Sequence, residues 1–343
     1  MTQKKRTEIA ELGEFGLIDH LTKDFTTSNK NTLRGVGDDA AVIKAGRDDA
    51  MVVTTDSLLE GVDFDLTYFP LKHLGYKAVT VGVSDVLAMN AIPEQVMISL
   101  GVSSKLPVEA LEDLYEGVKF ACDEMGIDMV GGDTTASMTG LVINITTIGR
   151  AKRKAISYRS GAQFNDLICI TGNLGAAYMG LHLLEREKRV LRDVQNPEPQ
   201  FAGYEYLLQS YLKPRARKDI VDALAAEGIV PTSMIDISDG LASEVMQICK
   251  ASKCGARIYL ERIPIAKQTS ALAEEMHIDP VVAALNGGND YELMFTVPLA
   301  MQEQVMSMGM VDIIGHITRE STGAYLVTPD GSDIKLRAQG FKE

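Results

Sequence analysis

The 343-residue chain lacks the features that would indicate a membrane protein, a disulfide-stapled protein or a hydrolase. No stretch reaches the roughly 18 consecutive apolar residues that a spanning helix needs, and the N-terminal MTQKKRTEIAEL has no apolar signal-peptide core. The four cysteines show no CxxC or CxxH spacing, which favours buried thiols over a zinc site or a disulfide framework. None of the five histidines lies near a hydrolase-type serine or cysteine motif. We therefore expect a soluble, cytoplasmic protein without a nucleophilic triad.

Basic charge and the common nucleotide-binding motifs are also missing. Acidic residues outnumber basic ones by 47 to 34, and the net charge of -13 disfavours a nucleic-acid or anionic-membrane surface. The sequence has no GxxxxGK[ST] loop, no GxGxxG at a strand-to-helix turn and no protein-kinase motif set. An anionic substrate would therefore need metal ions for the neutralisation to which a P-loop lysine contributes.

Strand-like and helix-like segments alternate along the chain, which predicts an α/β fold in α+β order. The first part contains the strand-like segments AAVIK, AMVVTTD and EQVMISLGV, two amphipathic helices beginning near Lys72 and Val108, and a final strand GLVINITTIGR. The basic stretch RAKRKAISYRSGA that follows is typical of a domain crossing. Since the chain is longer than most single cores, we predict two domains, residues 1–150 and 151–343.

What the chain does contain is aspartate at the ends of its predicted strands and helices. RGVGDDAAVIK places Asp38 and Asp39 side by side, although neighbouring carboxylates are costly to bury without a compensating cation. In MVVTTDSLL, strand alternation puts Thr54 and Asp56 on one side and Thr55 on the other. An oxygen-only pair suits a hard cation such as Mg²⁺, while a turn or helix cap explains Asp56 equally well.

Asp85 lies in line with the apolar stripe of a predicted helix. Leu74, Ala78 and Val81 precede it at helical spacing, so the carboxylate faces the core and needs a partner. No arginine lies within a turn of it, which leaves a metal ion or a distant arginine. We favour the metal ion.

Two further segments repeat the pattern of an apolar strand followed by aspartate. MVGGDTTAS places Asp133 after two glycines, and MIDISDGLAS places Asp236 within a strand, where aspartate is disfavoured. Asp239 follows where a helix begins, and a helix N-cap is its ordinary explanation. Taken together, carboxylates beside hydroxyls without histidine or cysteine indicate several Mg²⁺ ions and a phosphorylated substrate or nucleotide.

An ordered set of motifs, running from Gly13 to Gly340, resembles the thiamine-monophosphate kinase family. That family belongs to the superfamily of aminoimidazole ribonucleotide synthetase, selenophosphate synthetase and a hydrogenase-maturation protein. The matching blocks are GVGDDAAVI, TTDSLLEGVDF, YKAVTVGVSDVLAMNAIPE, GGDTTAS, YRSGA, DISDGLASE, KASKCGARI and GGNDYEL.

The resemblance implies a two-domain aminoimidazole ribonucleotide synthetase-like fold whose N-terminal mixed sheet pairs across a homodimer, with ATP and metals between the domains. It implies catalytic roles for Asp56, Asp85 and Asp239. The implied magnesium ligands are Asp39, Thr54, Thr55, Asp56, Asp85, Asp133, Asp236 and Asp239. The implied nucleotide contacts are Gly132, Asp133, Arg159 and Ser238, and the implied substrate contacts are Asp63, Asn289 and Phe341.

Two substrate positions depart from the family pattern, which commonly has histidine where Asp63 stands and glutamate where Asn289 stands. The implied reaction is direct in-line transfer from ATP to thiamine monophosphate, giving thiamine diphosphate. Because that acceptor is a phosphate with a second pKa of about 6, no general base has to activate it. The alternatives are a superfamily enzyme that activates an amide or carboxylate oxygen with ATP, and a nucleotide-sensing subunit without turnover.

Overall fold

The computed structural model describes residues 8–192 and 198–338, and the predicted substrate contact Phe341 lies outside them. The described elements form two groups, each built around one β-sheet. The first group consists of α1 (Gly13–Thr22), β1 (Thr32–Arg34), β2 (Ala41–Lys44), β3 (Asp49–Leu59), α2 (Leu71–Ala88), β4 (Ile92–Val102), α3 (Val108–Met125), β5 (Asp128–Ala136) and β6 (Val142–Lys152). The second group begins with β7 (Leu167–Thr171), α4 (Ala176–Leu191), α5 (Glu205–Leu212), α6 (Lys218–Ala226), β8 (Ser233–Asp236), α7 (Leu241–Ser252), β9 (Cys254–Tyr259), α8 (Lys267–Glu275), α9 (Pro280–Asn286) and β10 (Leu293–Val297). It ends with α10 (Gln302–Ser307), β11 (Val311–Arg319), β12 (Ala324–Val327) and β13 (Asp333–Lys335).

The first sheet has the strand order β1-β2-β3-β6-β4-β5. Only β4 and β5 pair in parallel, so the sheet is mixed. Burial alternates along β6, and its inward residues Ile143 and Ile145 pack with Val79 and Val83 of α2 in one apolar cluster. Helix α2 therefore covers one face of the sheet and is fixed against it by apolar burial.

Helices α2 and α3 touch through their backbones. A Cβ on Gly75 would lie 1.9 Å from the carbonyl oxygen of Leu114, and a Cβ on Gly117 would lie 1.9 Å from that of Lys72. Neither position has room for a side chain, so the two glycines allow an approach that any other residue would prevent. This contact holds α2 at a defined height above the sheet.

The second sheet has the strand order β13-β12-β9-β11-β7-β10-β8, in which only β9 and β12 run parallel. Its strand β7 is buried on both faces. Cys169 belongs to the apolar cluster that also contains Leu74 of α2, whereas Ile168 and Ile170 pack with Val245 of α7. One core therefore runs from the first group of elements into the second.

The mixed α/β fold with two sheets that the sequence predicted is confirmed. The division at residues 150 and 151 and the pairing with a second copy stay predictions. In the described ranges no helix is both long and apolar enough to cross a membrane.

Replacing Gly117 tests the contact between α2 and α3. We expect Gly117→Ala to lower the free energy of unfolding by about 1 to 3 kcal/mol, because the new methyl group would overlap the Lys72 carbonyl. Gly16→Ala in α1 is the matched control, since its Cβ would lie 3.6 Å from the Leu12 Cβ and alanine favours helix. Denaturant unfolding measures both variants, and equal stability of the two would contradict the close contact.

Candidate functional site

Three aspartates from separate elements meet where α2 packs against β8. Asp39 precedes β2, Asp85 lies on α2 and Asp236 ends β8. One carboxylate oxygen of each lies within 4.8 Å of the other two. The convergence that the sequence predicted is therefore present for these three residues, which lie far apart along the chain.

Strand β3 adds two groups to this site. The Thr54 hydroxyl donates a hydrogen bond of 2.5 Å to Asp85 Oδ2. Asp56 has a buried Oδ2 with no hydrogen-bond partner in the part of the chain that the structure describes. Thr55 lies on the opposite, exposed side, where its hydroxyl accepts a hydrogen bond from Thr146. The predicted alternation is confirmed, and it separates the Thr55 side chain from the other implied metal ligands. Asp39, Asp56, Asp85 and Asp236 are called the aspartate cluster below.

Burial and mutual repulsion make the aspartate cluster reluctant to ionise. Burial first, and the neighbouring carboxylates second, raise the pKa of Asp85 well above its usual value. The same two causes raise the pKa of Asp56 to about 6 and that of Asp236 to about 7, although Ser84 donates a hydrogen bond of 2.5 Å to Asp236. Such a group of carboxylates is stabilised by added positive charge.

Arg159 supplies part of that charge. Its Nη2 and Nε donate hydrogen bonds of 2.5 and 3.0 Å to the same oxygen of Asp39. Asp39 Oδ2 is buried and has no partner within residues 8–192 and 198–338. Asp38, the neighbouring carboxylate, accepts a hydrogen bond from the Arg159 backbone and lies 2.9 Å from Arg34. The two adjacent aspartates are thus compensated by different groups, and Asp39 is compensated on one oxygen only.

The donor set fits a hard divalent cation. Within the described ranges Asp56, Asp85 and Asp236 form no ion pair. The aspartate cluster together with Thr54 offers carboxylate and hydroxyl oxygens without histidine or cysteine. Two of its buried oxygens, Asp39 Oδ2 and Asp56 Oδ2, have no hydrogen-bond donor among the described residues. Oxygen-only ligands of this kind suit Mg²⁺.

Asp239 lies beside this group at the start of α7, but its carboxylate does not cap the helix. The N-cap residue is Gly240, and no side-chain hydrogen bond caps the helix. The Asp239 backbone instead donates to Glu244, a buried glutamate whose pKa is raised well above its usual value by burial, then by Asp239 and Asp236. Sequence reasoning missed Glu244, although an acidic residue on a buried helix face is the signal that singled out Asp85.

The segment GGNDYEL contains two residues other than glycine in the left-handed region, Asn289 at φ +60° and Tyr291 at φ +51°. A bulky residue adopts this conformation only when its surroundings enforce it. Asp290 between them accepts hydrogen bonds from the backbones of Gly175 and Ala177 at the start of α4. The Asn289 backbone donates a hydrogen bond of 2.7 Å to the Ser238 carbonyl. Asn289 and Ser238 are therefore held together.

Tyr291 connects the implied substrate side to the aspartate cluster. It is buried, and its hydroxyl donates a 3.3 Å hydrogen bond to Asn289. Burial raises the pKa of Tyr291 well above its usual value, and the charges of Asp236, Asp56 and Asp63 add to the effect. Its phenol thus lies within electrostatic range of Asp63 as well as of the cluster. Tyr291 was not identified from the sequence, since nothing local to GGNDYEL shows where that side chain points.

Asp63 lies in the loop after β3. Its Oδ2 accepts a hydrogen bond of 2.7 Å from the Leu59 backbone, which closes the loop on itself. Tyr211 of α5 donates a 3.3 Å hydrogen bond to the Asp63 carbonyl oxygen. The loop is therefore held by the second group of elements, on the side where Tyr291 lies.

Gly132 and Asp133 are not brought to the aspartate cluster. They lie on β5, the edge strand of the first sheet, and Asp133 is exposed opposite Ser99 of β4. Two strands separate β5 from β3, a distance of about 14 Å at about 4.8 Å per strand. Gly132 also has a packing reason, because a Cβ there would lie 1.9 Å from the Ile98 carbonyl oxygen. Within one chain, the separation of Asp133 from the other implied ligands departs from the sequence expectation.

The chain is similar to known proteins in both sequence and structure. Residues 37–151 match the model of the AIR synthase related protein, N-terminal domain, and residues 165–327 match that of the C-terminal domain. The thiamine-monophosphate kinase of Buchnera aphidicola subsp. Schizaphis graminum is 34% identical over 96% of this chain and 98% of its own length. The thiamine-monophosphate kinase of Aquifex aeolicus is 33% identical over 97% of this chain and 99% of its own length. A solved structure of AaThiL complexed with AMPPCP and TMP aligns with a TM-score of 0.82 and 31% identity, covering 96% of this chain and 97% of that one.

The Asp85→Asn variant tests whether the carboxylates of the aspartate cluster repel one another in the folded protein. Because the folded-state pKa of Asp85 is raised, the unaltered protein loses unfolding free energy as the pH rises through that pKa. The Asp85→Asn variant has no carboxyl group to ionise at this position, so it does not lose this unfolding free energy. In EDTA we expect it to be more stable than the unaltered protein at pH 8, with a smaller advantage at pH 5, as measured by denaturant unfolding.

Added Mg²⁺ should reverse the order at pH 8, since the unaltered site binds the ion more tightly and binding stabilises the folded state. Asp312→Asn, at an exposed position on β11, is the control and should change neither pH dependence nor the response to Mg²⁺. A variant that is less stable than the unaltered protein in EDTA would contradict repulsion among these carboxylates.

Proposed function

The chain belongs to the thiamine-monophosphate kinase family of AIR synthase-related proteins, and we propose that it transfers the γ-phosphoryl group of ATP to thiamine monophosphate. The products are ADP and thiamine diphosphate. The observation that carries the proposal is the convergence of Asp39, Asp85 and Asp236 between the two sheets, in a chain related along nearly its whole length to kinases of this name. AaThiL complexed with AMPPCP and TMP, an ATP analogue with thiamine monophosphate, supports ATP and thiamine monophosphate as the two substrates.

We propose that the site binds several Mg²⁺ ions. The aspartate cluster and Thr54 would hold them, which the unpartnered carboxylate oxygens and the raised carboxyl pKa values support. When bound, magnesium neutralises phosphate charge and favours the transfer of a phosphoryl group between two anions. Thr55, Asp133 and Asp239 stay predicted ligands.

Arg159 is the proposed phosphate-binding cation. Two nitrogens of its guanidinium bind Asp39, and within the described ranges Nη1 has no hydrogen-bond acceptor. The side chain is 22% exposed, so part of it is open to solvent. Asp39 binds the guanidinium of Arg159, and Asp38 accepts a hydrogen bond from the Arg159 backbone. These two contacts orient the arginine and so fix where an anion can bind to it. Gly132, Asp133 and Ser238 stay predicted nucleotide contacts.

The substrate side is proposed to lie around Asp63, Asn289 and Tyr291. The charges of Asp63, Asp56 and Asp236 all add to the raised pKa of Tyr291, which supports a substrate side next to the aspartate cluster. The carboxylate of Asp63 suits the positive charge of a thiazolium ring. The acceptor phosphate is largely dianionic at neutral pH, so no residue has to remove a proton from it.

The chain is proposed to act with a second copy of itself. Strand β5 exposes Met129 and Val130, at 40% and 55% of their side-chain surface, on an edge that nothing within the described chain covers. Apolar groups on a sheet edge favour pairing with another chain. The molar mass from sedimentation velocity decides between monomer and dimer. The cytoplasmic location expected from the sequence stays a prediction.

ADP release with three acceptor conditions separates the proposed function from its alternatives. We expect turnover with thiamine monophosphate. We expect little turnover with the ribonucleotide from which aminoimidazole ribonucleotide is made, or without an acceptor. Asp85→Asn should lower the rate by about 100-fold or more, because it removes a charge from the proposed metal site. Asp312→Asn should leave the rate unchanged. Turnover only with the ribonucleotide precursor would favour the amide-activating alternative, and nucleotide binding without turnover would favour the sensing subunit.

The stereochemistry of transfer tests the direct in-line route. A γ-thiophosphate made chiral with oxygen isotopes should be transferred with inversion at phosphorus, because one displacement without a covalent phosphoenzyme inverts once. Phosphorus NMR of the product reports its configuration. Retention would require two displacements and would exclude direct transfer.

A further inference from the structure

Lys77 of α2 is a buried lysine that the proposed reaction does not use. The residue is 1% exposed, and its Nζ has no hydrogen-bond acceptor among the residues that the structure describes. Burial lowers the pKa of this ammonium group to about 7. Lysine is almost never fully buried without a partner, because an ammonium group removed from water loses its hydration. Packing alone therefore does not explain why a lysine occupies this position.

Two aromatic rings lie against the Lys77 ammonium group in place of hydrogen-bond acceptors. Nζ lies 4.2 Å from the centroid of the Tyr211 ring on α5 and 5.6 Å from that of Phe69. The centroids of these two rings are 5.5 Å apart. A cation within about 6 Å of a ring is attracted by the negative ring face, and the attraction is stronger away from water. The shorter distance makes Tyr211 the main partner of the ammonium group.

Tyr211 joins this buried cation to the loop that contains Asp63. Residues 60–69, called the Asp63 loop below, follow β3 and end at Phe69. The Tyr211 hydroxyl donates its 3.3 Å hydrogen bond to the Asp63 carbonyl oxygen, while the ring of the same residue contacts Lys77. Phe69, the other ring near Nζ, belongs to the loop itself. Lys77 is therefore linked both to Asp63 and to the end of the loop.

The other polar contacts between the Asp63 loop and the second group of elements lie beyond Asp63 in the chain. The Tyr68 hydroxyl and the Asp65 carboxylate each bind a side chain of α4. Within the described ranges, the hydrogen bond that reaches Asp63 itself from the second group comes from Tyr211. The orientation of Tyr211 therefore helps to set where the Asp63 backbone lies.

A cation orients the Tyr211 ring more strictly than an apolar side chain would. Dispersion contacts depend little on which part of a ring they touch, whereas an ammonium group is attracted to the ring face and repelled by the positive ring edge. Because the hydroxyl lies in the plane of the ring, turning the face towards Nζ restricts the directions in which the hydroxyl can point. In this structure it points to Asp63.

We propose that Lys77 is a positioning residue for the phosphate acceptor: its ammonium group orients Tyr211, whose hydroxyl holds the Asp63 loop in the shape that binds thiamine monophosphate. The identity of the acceptor rests on the proposed function, whereas the coupling of Lys77 to the loop does not. Lys77 is not a catalytic residue, since the described contacts of its ammonium group are with two rings and not with the aspartate cluster.

Steady-state kinetics of Lys77→Met test the role in acceptor binding. Methionine is unbranched and uncharged, and we expect it to raise KM for thiamine monophosphate about 2- to 10-fold, the effect of losing one neutral hydrogen bond. KM for ATP and kcat should stay unchanged, because Asp85 on the same helix keeps its contacts. Equal changes in both KM values, a fall in kcat of the same size, or an unchanged KM for the acceptor would overturn the proposal.

Lys213→Met is the matched control. The Lys213 ammonium group also lies over two rings, at 4.6 Å from the centroid of Tyr76 and 4.4 Å from that of Phe120, and neither ring belongs to the Asp63 loop. The control should change neither KM value. A rise in the acceptor KM as large as that of Lys77→Met would show that any such lysine has this effect and would overturn the specific role of Lys77.

A double variant tests the route through Tyr211. Tyr211→Phe removes the hydroxyl and keeps the ring, so it should raise KM for thiamine monophosphate by a similar factor. In Lys77→Met/Tyr211→Phe the two effects should not multiply, because both act through the one hydrogen bond to Asp63. An acceptor KM raised by the product of the two single factors would overturn this route.

Denaturant unfolding separates the positioning role from a structural one. Lys77→Met should lower the unfolding equilibrium constant by about tenfold or more at pH 7, because it removes a buried ammonium group that lacks a hydrogen-bond acceptor. Higher stability together with weaker acceptor binding is the trade-off expected of a functional residue. A variant that is both less stable and weaker in acceptor binding would assign Lys77 a structural role and overturn the proposal.

Hydrogen exchange measures the Asp63 loop without any acceptor present. The backbone amides of Gly61 and Asp63 donate hydrogen bonds within the loop and its junction with β3. In Lys77→Met and in Tyr211→Phe we expect these amides to exchange about 2- to 10-fold faster, because the loop opens more often once its link to α5 is weakened. The Gly331 amide, in a turn of the second group, should exchange as before.

Unchanged exchange of the Gly61 and Asp63 amides in Lys77→Met would overturn the coupling of Lys77 to the loop. A protein in which both variants show the faster exchange, but which neither binds nor phosphorylates thiamine monophosphate, would refute the proposed function alone.

Discussion

Repulsion among buried carboxylates is the constraint on which the rest of this structure depends. The aspartate cluster places four acidic side chains in a partly buried space with one guanidinium against them. Desolvation and like charge both disfavour such a group in its ionised form. The surrounding scaffold must therefore be rigid enough to keep the carboxylates together when no cation is bound, and the raised pKa values of Asp56, Asp85 and Asp236 record that cost.

Helix α2 provides that rigidity because it is held from three sides. Apolar side chains of β6 pack beneath it, the backbone of α3 touches it at Gly75, and its Ser84 hydroxyl bonds to Asp236 on the second sheet. The core around Leu74 continues into the second sheet as far as Cys169. An aspartate placed on this helix cannot move away from its neighbours without breaking the packing between the two sheets.

The substrate side relies on local strain in place of a rigid helix. Asn289 and Tyr291 both adopt the left-handed conformation, which costs about 1 to 3 kcal/mol for each residue that is not glycine. Asp290 offsets part of this cost by accepting backbone hydrogen bonds at the start of α4, where the helix dipole favours a negative charge. The burial of Tyr291 and the hydrogen bond from its hydroxyl to Asn289 maintain this conformation.

Local pattern in the sequence determined which way side chains face within an element. Strand alternation separated Thr54 and Asp56 from Thr55, and helical spacing placed Asp85 on the packed face of α2, because both periods follow from backbone geometry alone. Strand order and the packing of the two sheets were decided only by the tertiary structure. They separate Asp133 from the cluster, pair Arg159 with Asp39, and bring Ser84, Glu244 and Tyr291 to the site. Those contacts join residues from elements far apart in the chain, and no periodicity within a single element encodes which distant element lies next to it.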